Sequence, residues 1–266
     1  MDVSSRNAGT VSDIVPVILF HAVADEPTID RRFSVSRAAF EAHADAIEAS
    51  GRTTLSISEL ASALRGQRTL PERAAAITFD DGFADNYDAV HSLLRRSLCA
   101  TLYITTGTIG APGRLDRARV VELARLSGVE IGAHCVTHPY LDELRSDEVV
   151  EEVRGCKTEL EDLVERDVPS FAYPHGAYDR RVRQAVIDAG YRSAAAVKNA
   201  VSHATDDPFA IARWTVTRDT PASRVAQVLD GEDVPRAWAA ERLRTRAYRT
   251  ARRGRRRATR ALRATR

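Results

Sequence analysis

Three short segments of the chain gather residue types that can do chemistry. In Ile77-Thr78-Phe79-Asp80-Asp81-Gly82 two adjacent carboxylates stand where an apolar run stops. Neighbouring side chains on a strand face opposite ways, but a turn at Gly82 could bring both acids to one pocket. One could then bind a metal while the other remains a free base. Taken alone, an Asp-Asp-Gly triplet reads more readily as a solvated turn. In His134-Cys135-Val136-Thr137-His138 two histidines lie four apart, and they converge on one ion if the segment makes a helical turn. Two histidines and a carboxylate, with positions left open for water, form a common catalytic set for a divalent metal. Zinc suits such a set, and cobalt, nickel or manganese could also occupy it. In the third segment, Phe171-Ala172-Tyr173-Pro174-His175-Gly176, an aromatic, a proline and a glycine make a rigid loop. Its backbone N–H groups could point into a cleft, where such donors suit an oxyanion.

The elements that must hold these segments alternate between strand and helix patterns. Strands are expected at Ile14–Phe20, Ala74–Phe79, Ala100–Thr105, Val129–Gly132, Ser170–Tyr173, Ser193–Val197 and Ala210–Val216. Helices are expected at Arg37–Ser50, Ser58–Leu64, Ala84–Ser97, Arg117–Leu126, Asp147–Glu165 with Ser146 as N-cap, Arg180–Ala189 and Pro221–Leu229. Repeated β-then-α units imply parallel strands with crossover helices, in an α/β fold that is either an open sheet or a barrel. Periodicity does not choose between the two. All three chemical segments follow strands, at the carboxyl ends where both architectures place their active sites.

Taken together and in this order, Thr-Phe-Asp-Asp-Gly, His-x-x-x-His and aromatic-Pro-x-Gly resemble the polysaccharide deacetylase family of the NodB type. The likeness extends through Val15-Pro16-Val17-Ile18-Leu19-Phe20-His21 and Phe83-Ala84-Asp85-Asn86-Tyr87, and covers about residues 14 to 220. It implies a distorted (β/α) barrel of about seven units and a metal-dependent hydrolase that removes an N-acyl group, most simply acetyl, from an amino sugar. By that resemblance Asp81, His134 and His138 bind one divalent ion, Asp80 is the general base, and a backbone N–H near His175 helps hold the oxyanion. Many relatives take their general acid from a Leu-x-His segment near the end of the domain, and this chain has none there. His21 is the candidate in its place, with His203 in reserve. The family often holds its base with an arginine in the third motif, where this chain has Ala172; Arg213 could substitute from the last strand. Trp214 could line the sugar site, with Tyr87 and Tyr173 as weaker candidates of the same kind. His43 and His91 are expected on helix surfaces. The alternatives are the same chemistry on a non-sugar amide, or a catalytically weak carbohydrate-binding relative.

Charge divides the chain. From Pro235 onward there are 13 arginines against one acid, Glu241, which gives +12 and leaves −10 for the body out of a total of +2. The expected organisation is a leader at 1–13, the catalytic unit at 14–234 and an Arg-rich tail at 235–266, helical or disordered. Such a tail could lie on anionic lipid headgroups, while specific nucleic-acid binding is not expected. No run reaches the roughly 18 apolar residues that span a bilayer. The first 13 residues lack the layout of a secretory signal, and three scattered cysteines suit a reducing compartment. A cytoplasmic enzyme is the resulting expectation, peripheral at the inner membrane face if its tail lies on lipid.

Overall fold

The structure, a computed structural model, describes residues 14–26 and 31–238. The expected leader and almost all of the Arg-rich tail therefore lie outside the described residues. Seven parallel strands close into a barrel: β1 (Val17–Phe20), β2 (Ala74–Phe79), β3 (Ala100–Ile104), β4 (Val129–Ala133), β5 (Ser170–Ala172), β6 (Ser193–Val197) and β7 (Ile211–Thr215). Closure comes from β1, which pairs with β2 on one side (Ile18 opposite Ile77) and with β7 on the other (Trp214 opposite Ile18). Around the strands lie α1 (Arg37–Ala49), α2 (Ile57–Leu64), α3 (Asn86–Arg95), α4 (Arg117–Arg125), α5 (Ser146–Val164), α6 (Arg180–Asp188) and α7 (Ala222–Asp230).

Local chemistry explains most of these boundaries. The expected strand Ile14–Phe20 is broken at Pro16, which has no N–H to give a ladder. Ile14–Val15 instead pairs antiparallel with Ser202–His203. Ser36 and Asp116 cap α1 and α4 by accepting the N–H groups of Ala39 and Arg119. Ser146 is not the cap of α5; the helix starts one residue earlier than expected, with Arg145 at the cap position.

Two apolar layers follow from the alternation of each strand. Ile18, Phe20, Ile77, Phe79, Leu102, Ile131 and Phe171 point outward beneath the helices. Val17, Ala74, Ala76, Tyr103, Ala172, Ala195 and Ile211 fill the interior together with Ile57, Leu60 and Ala61 of α2, which plugs the amino-terminal end of the barrel. The interior is rich in alanine because two large side chains must fit, Tyr103 and Arg213, both fully buried. Gly132 serves the same need: a Cβ there would stand 2.5 Å from the Tyr103 ring. Below Tyr103, Glu130 accepts the N–H of Ser58 at 3.2 Å and the hydroxyls of Ser58 and Thr101, fastening the first turn of α2 to the barrel floor. Far from the floor, His43 departs from expectation. It is buried between α1 and α7 and its Nε2 donates to the Thr220 carbonyl at 2.9 Å. His91 is half-buried on α3, its Nδ1 bonded to the Tyr87 carbonyl.

Candidate active site

Asp80 directly follows β2 and continues the inward register of Ala74, Ala76 and Thr78. The chain then makes the turn that could turn Asp81 inward as well: Asp81 has φ 74° and Gly82 φ 67°. A left-handed aspartate is costly by about 1–3 kcal/mol and needs surroundings that hold it. Arg114 does so. Its guanidinium lies 3.9 Å from the centre of the Phe83 ring and its Nη1 donates to the Asp81 carbonyl at 2.8 Å. Nothing in the sequence marked Arg114, since its partner is a backbone atom 33 residues away.

His134 follows β4 and also points inward. Its Nδ1 lies 2.8 Å from the Ala172 carbonyl, an acceptor only, so Nδ1 carries the proton and Nε2 presents a lone pair to the cavity. His138 reaches the same point from the following loop, Nε2 3.2 Å from Asp81 Oδ1, while His134 Nε2 is 3.6 Å from that oxygen. The ligand atoms of Asp81, His134 and His138 all lie within 4.8 Å of one another. The expected helical turn is absent. Residues 134–138 form an irregular loop with left-handed Cys135 (φ 66°) and His138 (φ 59°), and these two residues bring the histidines together. Burial pushes the His134 imidazole down to about 4, keeping it neutral as a ligand must be.

Beside this trio Asp80 is clamped from β7. Arg213 Nη1 donates to Oδ1 at 2.6 Å and Nη2 to Oδ2 at 2.8 Å, and the guanidinium rests 5.3 Å from the Tyr103 ring centre. Burial alone would raise the Asp80 pKa, but the Arg213 charge and its hydrogen bonds outweigh it and hold the carboxyl well below the usual range. His21 lies one residue beyond β1 on the inward register, near Asp80, Asp81, Arg213 and His138. Its ring packs against Phe33 at 5.0 Å, and its Nδ1 is buried with no hydrogen-bond partner. Burial lowers its pKa against the opposing pull of the two carboxylates.

The third segment is only partly at the site. His175, left-handed at φ 57°, stands edge-on to His138 at 4.4 Å and stacks on Tyr140 at 3.8 Å; burial brings its imidazole to about 4. Pro174 is buried and shapes this turn. Tyr173 offers the cleft nothing: its ring is buried, its N–H donates to Ala195 and its hydroxyl to the Phe209 carbonyl. Trp214 is displaced for a simpler reason. It neighbours Arg213 on β7, so it faces the other way and meets Arg224 of α7 at 5.8 Å. Tyr87 sits on the outside of α3, bonded to Glu122. His203 pairs with Ile14 at the opposite end of the barrel, its Nε2 3.2 Å from the Ala237 carbonyl, which removes it as an acid candidate.

Comparison with known proteins gives these geometries a context. Residues 67–194 match the family model for polysaccharide deacetylase, a span that includes all three motif segments but neither His21 nor Arg213. The polysaccharide deacetylase homologue YxkH of Bacillus subtilis (strain 168) is 24% identical over 204 residues, 76% of this chain and 71% of that protein. Over 78 residues, 29% of this chain and 12% of the relative, the identity to the poly-beta-1,6-N-acetyl-D-glucosamine N-deacetylase of Escherichia coli (strain K12) is 35%. The solved structure of the Streptococcus pyogenes deacetylase PplD in complex with acetate shares the fold, with a TM-score of 0.74 and 21% identity over 81% of this chain and 98% of that one. By the family match, its curated relatives and the closed seven-stranded barrel, residues 67–194 form a polysaccharide deacetylase domain within this barrel.

Proposed function

We propose that the protein is a metal-dependent deacetylase that removes an N-acetyl group from an amino sugar in a polysaccharide, oligosaccharide or lipid-linked glycan. The observation that carries this reading is the convergence of Asp81, His134 and His138 beside an Asp80 carboxylate held ionised by Arg213. The donor set fits a divalent ion: one carboxylate and two imidazoles face a common point, and His134 turns its only lone pair toward it. Zinc is the metal whose usual ligands these are. A divalent ion held there supplies Lewis-acid polarisation of an acyl carbonyl and lowers the pKa of water toward about 7.

The chain's own residues then divide the remaining work. Asp80, ionised and fixed by two hydrogen bonds, accepts the proton that the attacking water loses. Arg213 keeps that carboxylate from swinging to the ligand position of Asp81. Of the third segment, Pro174 has no N–H, while those of Tyr173 and Gly176 are committed to Ala195 and Tyr173 carbonyls. The His175 N–H is thus the donor this segment offers to an oxyanion. The new C–O bond forms from water, the C–N bond breaks, and the leaving nitrogen must be protonated to depart as an amine. His21 faces the same cavity and is the side chain placed to give that proton; burial lowers its pKa, so the cavity's carboxylates Asp80 and Asp81 are what favour its protonated form.

The amino-sugar assignment draws on the named substrate of the Escherichia coli relative. Its test is acetate release by the zinc-loaded protein from N-acetylated chito-oligosaccharides and, in parallel, from an Nε-acetyl-lysine peptide. Release from the sugar at a rate well above the peptide supports the reading, and preference for the peptide would replace it with a general amidohydrolase.

A further inference from the structure

The loop that carries both histidines is held in a strained form by a residue outside every motif segment. We propose that Glu152, on α5, is a positioning residue that sets the separation and direction of His134 and His138 for metal binding. The inference rests on the metal-dependent reading above.

Glu152 lies midway along α5, next to Val153, whose side chain is anchored in the core with those of Val149, Cys156 and Leu160. Its carboxylate meets the loop where the backbone is least comfortable. Cys135 is left-handed, and the next two N–H groups, of Val136 and Thr137, therefore turn toward one point. Oε2 of Glu152 sits at that point and accepts both, each at 2.9 Å, while Oε1 accepts the Thr137 hydroxyl. Such a concavity of consecutive amides is an anion site, here filled by the protein's own carboxylate.

The opposite face of the loop is gripped as well. Thr106 and Gly107 donate their N–H groups to the Cys135 and Val136 carbonyls at 3.2 and 2.9 Å. A Cβ at Gly107 would stand 2.6 Å from the Val136 oxygen, so glycine is what permits this approach. Gly155, one helical turn beyond Glu152, lets the Val136 side chain settle against α5, where a Cβ would be 3.3 Å away. Every residue between the two histidines is thereby fixed from α5 or from the end of β3. Two left-handed non-glycine residues within four positions cost about 1–3 kcal/mol each and persist only where the surroundings impose them. Glu152 supplies three of the hydrogen bonds that impose them. Without it the loop can relax, His138 swings from its 3.2 Å approach to Asp81, and the ligand set opens.

The test is zinc titration by calorimetry of the chelator-stripped full-length protein: wild type, Glu152→Ala and Glu152→Gln, each shown to be folded by circular dichroism and by its thermal midpoint in the metal-free state. The expected result is a loss of about 10–100-fold in zinc affinity for Glu152→Ala. Glu152→Gln, which retains an oxygen for the two N–H groups, should recover most of it. Substitution of cobalt for zinc should show an altered visible spectrum in the alanine variant alone. Equal zinc affinity in wild type and Glu152→Ala would overturn the inference while leaving the metal reading intact. A wild type that binds no zinc would remove both.

Discussion

Replacing Arg213 by methionine isolates the charge that the barrel interior spends on Asp80. Methionine keeps the unbranched stem and removes the guanidinium, so the packing change is small and the electrostatic change is large. Both side chains are essentially closed to solvent, at 0% and 3% exposure, and two hydrogen bonds of 2.6 and 2.8 Å disappear. Removing one partner of a buried pair costs about 3–5 kcal/mol, because the other charge stays buried and alone. That is a large part of the roughly 5–15 kcal/mol by which a domain is stable. The pH dependence separates this cost from simple loss of packing. In the wild type the Asp80 pKa is depressed, so its contribution is present above the unfolded carboxylate value of about 3.9 and fades as pH falls toward the folded value. In the variant burial acts on Asp80 without its main opponent, and the carboxyl holds its proton to higher pH. Urea unfolding at pH 7 and pH 4 should therefore give a destabilisation of about 3–5 kcal/mol at pH 7 that shrinks markedly at pH 4. An equal loss at both pH values would refute the argument, since a packing defect does not titrate.

Other positions give independent checks. His21→Asn should retain zinc in calorimetry yet lose about 10²–10⁴-fold in the rate of acetate release, as removal of a general acid does; loss of less than threefold would move the acid elsewhere. Gly107→Ala forces a methyl toward the Val136 carbonyl and should cost about 1–3 kcal/mol in chemical unfolding, with weaker zinc binding because the histidine loop must shift. Glu130 has the opposite sign to Asp80: burial raises its pKa despite the donors Ser58 and Thr101, so its contribution is complete below about 4.3 and lost as pH rises through the folded value. Glu130→Gln should therefore gain stability relative to wild type between pH 4 and pH 8, and a difference that stays constant with pH would contradict this.

The sequence carries the site more legibly than it carries the barrel. Asp80 and His134 announce themselves by standing just beyond strand ends with the right parity, Arg213 by its inward parity within β7, and Asp81 by the turn that Gly82 permits; the structure brings them within reach of one point. Alternation would also have excluded Trp214, because neighbours on a strand cannot both face the interior. Tyr173 is the same lesson at β5, where Ala172 is the inward residue. Other features depend on pairings between distant parts of the chain. Closure rests on β1 lying between β2 and β7, and nothing local to Val17–Phe20 specifies those partners. The supports of the ligands are equally remote in sequence: the Ala172 carbonyl for His134, Arg114 for the Asp81 backbone, Glu152 for the histidine loop. The loop conformation itself is set by these contacts against local preference, which is why spacing alone suggested a helical turn. His43 reads as a surface residue on α1 because its cover, the Thr220 carbonyl, is 177 residues away.

The central claim is that metal and Asp80 act together in deacetylation. Acetate release from N-acetylated chito-oligosaccharides should be measured side by side for zinc-loaded wild type, the same protein after chelation, and zinc-loaded Asp80→Asn. The account expects release from the first, restoration of the second on adding zinc back, and a loss of about 10²–10⁴-fold in the third with its zinc still bound. Undiminished release after chelation, or from Asp80→Asn, would contradict it.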